Sequence, residues 1–210
     1  MESLAGELRF VSVDNGLPVE GWTRLLEKWA ELMTRFIQVS KACRSGPDLP
    51  YWYNEYSSTG NLAAAAWDLG GVGLQEYTVD KSQGHSGRCD LWLCVPNSIE
   101  YTMEAKISWP TTCESAITEC PELIQRASGQ IRNYGNGVKN CEKIAACFLS
   151  PYNSSERDAR EILDKLRKWF REEKRTLPGL LAIYEPPDGT KTDWEGNSYP
   201  GVALFAQLVP

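Results

Sequence analysis

With 42% hydrophobic and 24% charged residues, this chain of 210 residues buries one substantial core and has the composition of an ordered globular domain. Its formal net charge of −6 removes whole-molecule attraction to polyanions, so a nucleic-acid partner would need a local basic surface or metal ions. No apolar run approaches the roughly 18 residues of a membrane span, and residues 1–7 lack the basic and apolar parts of a secretion signal. The cysteines Cys43, Cys89, Cys94, Cys113, Cys120, Cys141 and Cys147 are odd in number and include no CxxC pair. That pattern favours reduced thiols in a cytoplasmic protein over disulfides or a zinc site. His85 is the single histidine, which excludes a His-rich metal centre.

In chain order, Trp22, Leu25, Leu26, Trp29, Leu32, Met33, Phe36 and Ile37 recur at helical spacing, predicting an amphipathic helix over about 19–40. Residues 45–50 read as a loop. A second helix follows, with Glu55 near its start, Gly60 as a candidate interruption and Gly70-Gly71 as its stop. Residues 72–79 predict a strand and 80–87 a polar loop. From Cys89 to Ile107 apolar residues alternate: Leu91, Leu93 and Val95, then Tyr101, Met103, Ala105 and Ile107, with Pro96-Asn97-Ser98 as a turn. That is the pattern of an antiparallel hairpin. A helix over about 112–135 carries the stripe Ile124, Ala127, Ile131 and Tyr134, with Pro121 opening its second part. Residues 144–149 read as a strand buried on both faces. A helix starting near Ser155 carries Ala159, Ile162, Leu163, Leu166, Trp169 and Phe170. Residues 179–185 and 201–208 predict strands, separated by a Gly/Pro/Asp-rich excursion over 186–200.

The hairpin concentrates charge. If its odd-numbered residues face the core, Asp90, Glu104 and Lys106 share the opposite face. Pairing Val95 with Ile99 sets Asp90 directly across from Glu104. Two carboxylates facing each other at roughly 5 Å repel unless a cation lies between them, so the pair calls for a metal.

The order helix, three strands, helix, strand, with Gly87-Arg88-Cys89-Asp90-Leu91-Trp92 followed by Met103-Glu104-Ala105-Lys106, resembles the PD-(D/E)xK nuclease superfamily. Cys89 stands where that family's name has proline. Gln130-Ile131-Arg132-Asn133-Tyr134 is similar to the QxxxY motif of the RecB-like branch, and Glu55 to the acid that many members supply from the first helix. The resemblance covers residues 51–150. It implies an α/β, restriction-endonuclease-like core, a central mixed sheet flanked by helices. Within a single domain over 1–210, residues 1–50 would be a helical addition, 51–150 the nuclease-like core, and 151–210 a C-terminal helix and strand hairpin.

The resemblance further implies a metal-dependent nuclease. Asp90, Glu104, the Ala105 carbonyl and Glu55 would hold Mg²⁺ (or Mn²⁺), and Lys106 would assist the attacking water. Gln130 and Tyr134, four apart and so expected on one helix face, would orient nucleic acid or support the lysine. Asp68 and Glu76 compete with Glu55 as the further acid. Arg88 and Arg132 flank these elements as phosphate contacts, and Trp92 and Trp109 are candidates for base stacking. The expected partner is nucleic acid, DNA first, with no membrane partner and room for a homodimer or a protein partner. The alternatives are a catalytically silent nuclease-fold module that binds nucleic acid or regulates, and a partner-dependent nuclease effector of a defence or toxin system.

Overall fold

The two periods in the sequence, 3.6 and 2, sort the chain into helices and strands that build one sheet between two helical layers. The computed structural model describes residues 7–12, 19–43, 48–80, 86–95, 100–134, 141–172, 178–187, 191–193 and 195–210. His85 and the turn at 96–99 lie outside them. In chain order the elements are β1 (Glu7–Ser12), α1 (Val19–Cys43), α2 (Glu55–Asp68), β2 (Val72–Asp80), β3 (Ser86–Cys94), β4 (Glu100–Ser108) and α3 (Cys113–Arg132). They continue with β5 (Glu142–Leu149), α4 (Glu156–Glu172), β6 (Leu180–Glu185), β7 (Lys191–Thr192), β8 (Ser198–Tyr199) and β9 (Val202–Val209).

Seven strands form one sheet in the order β1-β6-β9-β5-β4-β3-β2, while β7 and β8 pair separately within the 186–200 excursion. Only β4 and β5 are parallel; every other neighbouring pair is antiparallel. The sheet is therefore mixed. Ile144, Ala146 and Phe148 of β5 pack under α1 and α2, while Ala145, Cys147 and Leu149 pack under α3 and α4. A strand buried on both faces must be apolar throughout, which is why its sequence shows no alternation. Trp22, Leu25, Trp29 and Met33 of α1 close one face, and Ile162, Leu166 and Phe170 of α4 help close the other. Each such side chain contributes roughly 1.5–3 kcal/mol on leaving water.

Three expectations need correction. The first 50 residues are not purely helical: β1 is an edge strand of the main sheet, paired with β6. Six residues without a turn signal give periodicity too little length to register. Pro121 does not divide α3, because Ala116, Cys120, Leu123, Ile124 and Ala127 form one continuous buried stripe across it. Packing of that stripe outweighs the single backbone hydrogen bond that proline forfeits. Gly60 does not interrupt α2 either. It makes room for Gln75, whose amide oxygen would lie 3.2 Å from a Cβ at that position.

The α2–β2 contact is unusually close and fixes where α2 begins. A Cβ at Gly73 would lie 2.5 Å from Ala63 Cα, so only glycine lets helix and strand approach this far. Gln75 Nε2 donates to the Tyr56 carbonyl (2.7 Å) and to Thr59 Oγ1 (2.8 Å), tying β2 to the first turn of α2. Asn54 caps that turn by accepting from the Ser57 amide.

The expected hairpin register holds where the pairing is described: Leu91 faces Met103 and Cys94 faces Glu100. The face assignment holds for Leu91, Leu93, Tyr101, Met103 and Ala105, which share one core cluster, and fails at Cys89, which joins the opposite one. Glu76 on β2 causes the break. Its φ of 52° is a left-handed conformation that non-glycine residues rarely adopt. Gln75 before it points to α2, whereas Tyr77 and Val79 after it pack with the α3 layer. Beyond this point the β3–β4 ladder stops at Leu91 and Met103, while β4 stays paired to β5 as far as Ser108. The two strands part there.

Candidate active site

The charged residues meet where β3 and β4 part. Lys106 Nζ lies 3.2 Å from Glu104 Oε1, 3.7 Å from Asp90 Oδ2 and 3.8 Å from Glu55 Oε2. β4 supplies Glu104 and Lys106, β3 supplies Asp90, and the braced first turn of α2 supplies Glu55. Asp90 Oδ2 also accepts from the Ala105 amide (2.7 Å), satisfying a backbone donor that the parted ladder leaves without a strand partner. Lys106 Nζ donates to the Ala105 carbonyl as well.

Glu104 is buried, at 5% exposure, and accepts a hydrogen bond from the Tyr134 hydroxyl. That hydroxyl lies 2.8 Å from the Arg88 carbonyl too. Burial raises the Glu104 pKa and Asp90 adds to the rise, while the Tyr134 hydroxyl and Lys106 oppose it. Glu55 is pushed up to about 7, first by burial and then by the Asp90 charge, with Lys106 opposing. Tyr134 is also raised by burial and by Glu104 beside it, so it persists as a donor. Three carboxylates against one ammonium leave two uncompensated negative charges when all are ionised. Hard oxygen donors with surplus negative charge suit a hard divalent cation. Among the described residues no three His, Cys, Asp or Glu side chains stand at metal-ligand spacing; the Lys106 ammonium lies within 3.8 Å of all three carboxylates.

The competing acids are engaged elsewhere. Glu76 sits between the Gln75–Leu91 and Tyr77–Cys89 pairs, hence across from Asp90, but its carboxylate meets Arg88 Nη1 at 3.4 Å. Asp68 pairs with Lys28 at 3.0 Å. Gln130 is exposed on α3, and no described contact brings it to the cluster. It does not share a helix face with Tyr134, because α3 ends at Arg132 and Asn133 caps it. Tyr134 is held instead by Lys143, whose Nζ donates to the Tyr134 carbonyl at 2.8 Å. Arg132 is exposed at the helix end. Trp92 stacks on Tyr77 (5.5 Å between centroids, 23° between planes), and Trp109 is half-buried.

Sequence reasoning passed over Tyr56, Thr59 and Gln75, which brace Glu55. A tyrosine beside the candidate acid was the only available signal. All seven cysteines are free thiols, and no described helix is long and apolar enough to cross a membrane. No known family model matches the chain, and no curated protein matches it in sequence.

Proposed function

We propose that this chain is a divalent-metal-dependent nuclease of the PD-(D/E)xK type, with a restriction-endonuclease-like core, hydrolysing phosphodiester bonds in nucleic acid, DNA first. The carrying observation is the convergence of Lys106 with Glu55, Asp90 and Glu104 at the point where β3 and β4 part. Asp90, Glu104, Glu55 and the Ala105 carbonyl would hold Mg²⁺ or Mn²⁺. When bound, the cation supplies Lewis acidity, neutralising phosphate charge as the P–O bond polarises.

The chain's own residues do the rest. Glu104 is held in one orientation by the Tyr134 hydroxyl, which is how a hydrogen bond to a metal-binding carboxylate tunes it. Asp90 is fixed by the Ala105 amide. Lys106, bound to the same carboxylates, is placed to stabilise charge on the scissile phosphate or to orient the attacking water. Arg88 and Arg132 lie at the ends of β3 and α3, exposed to incoming phosphates.

One observation favours a silent regulatory module instead: the ammonium already fills the carboxylate triangle, as a permanent countercharge would. Cleavage separates the two readings. Purified protein with Mg²⁺ or Mn²⁺, given circular DNA, linear DNA and RNA, should cut at least one. Asp90→Ala, Glu104→Ala and Lys106→Ala should each abolish that cutting without unfolding the protein. Cutting that survives all three substitutions removes the cluster from the chemistry.

A further inference from the structure

Two tyrosines flank Glu55 and are not absorbed by the chemistry above. Tyr53 is 49% exposed and Tyr56 is 55% exposed. The Tyr53 hydroxyl donates to the carboxylate of Asp48, 2.7 Å from each oxygen, and Asp48 is itself buried. Nearby negative charge, Glu76 first and then Asp90 and Glu55, raises the Tyr56 pKa. Tyr56 directly follows Glu55 in the first turn of α2 and so stands beside the acid cluster. The Tyr53 ring is held at its hydroxyl and the Tyr56 backbone by Gln75, with much of both side chains open to solvent, as a stacking platform requires and a core aromatic does not offer.

The surrounding charge says what would stack there. Duplex binding draws most of its free energy from cations on phosphates. Here Lys106 is shared among three carboxylates, Arg88 is on Glu76, and the chain carries a net charge of −6. Affinity then has to come from base faces, and only unpaired nucleotides present them. We infer that the site takes single-stranded nucleic acid, or the single-stranded part of an end or flap, with an unpaired base stacked on Tyr56 and a neighbouring one on Tyr53. This deepens the nuclease reading and rests on it for the fate of the bound strand.

The test is fluorescence anisotropy with a labelled oligothymidylate and with a blunt duplex, in Ca²⁺, alongside cleavage in Mg²⁺. Wild type, Tyr56→Ala, Tyr56→Trp and Tyr53→Ala are compared, with circular dichroism confirming the fold. Wild type should bind the single strand at least about tenfold more tightly than the duplex. Each alanine variant should lose about tenfold on the single strand, as expected for one lost stack, with little change on the duplex. Tyr56→Trp should retain binding, which a purely structural role for the hydroxyl would not allow. Equal affinity for duplex and single strand, or alanine variants that bind like wild type, overturns the inference even if DNA is cut. Tight single-strand binding through Tyr56 with nothing cut supports it and sinks only the nuclease reading.

Discussion

Glu55 combines exposure, charge and position in a way that makes it the most pH-sensitive member of the cluster. Its folded-state pKa of about 7 lies above its ordinary 4.5, so the folded chain holds a proton that the unfolded chain has lost. Stabilisation from this group is complete below the unfolded value and disappears as pH rises through about 7. The metal-free protein should therefore lose on the order of 1–2 kcal/mol between about pH 5 and about pH 8. Glu55→Gln should flatten that dependence in thermal melts; an unchanged slope would place the shift elsewhere. Tyr134→Phe removes the donor to Glu104 and leaves a buried carboxylate oxygen short of a partner, which costs about 1–3 kcal/mol. Metal affinity or activity should fall roughly 10–100-fold, and a variant as active as wild type would make Tyr134 mere packing.

At the scale of elements, the site exists because α2, β2, β3 and β4 are held in a particular offset. Gly73→Ala places a methyl group 2.5 Å from Ala63 Cα and must push α2 off the sheet. The expected loss is about 1–3 kcal/mol in denaturant unfolding, with activity falling further than stability because Glu55 moves with α2. Pro121→Ala should act the other way, restoring a helix hydrogen bond within an unbroken stripe and raising stability by roughly 1 kcal/mol or more.

Much of this arrangement was legible in the sequence. Period-2 alternation gave the hairpin register seen from Leu91–Met103 to Cys94–Glu100, and the 3.6 period gave α1, α3 and α4, because both patterns are written in neighbouring residues. What escaped depends on distant partners or on single torsions. β1 is defined by its pairing to β6, more than 160 residues away in sequence. The left-handed Glu76, where β2 changes the face it presents, carries no glycine or asparagine to announce it. Likewise, Tyr134 looked like a fourth-residue neighbour of Gln130 until the Asn133 cap ended the helix between them.

For the whole molecule, on the proposed nuclease reading, the acidic balance would limit how nucleic acid is held. With Lys106 and Arg88 already paired to carboxylates, few phosphates can be neutralised there. Single-strand binding should therefore depend weakly on salt, with log K against log salt no steeper than about −2. A steep slope would reveal a basic surface that the described residues do not display. The sheet, buried by helices on both faces, gives the site a rigid floor, so metal and substrate should leave the far side of the fold unchanged.

The central claim is that Asp90, Glu104 and Glu55 form a divalent-cation site around Lys106. Calorimetric titration of Mn²⁺ into the purified chain above pH 7 tests it most directly. Carboxylate-dependent binding should appear in the wild type and vanish in Asp90→Ala and in Glu104→Ala, both still folded. No binding, or binding that neither substitution disturbs, would mean that the acids serve only as partners for a structural lysine.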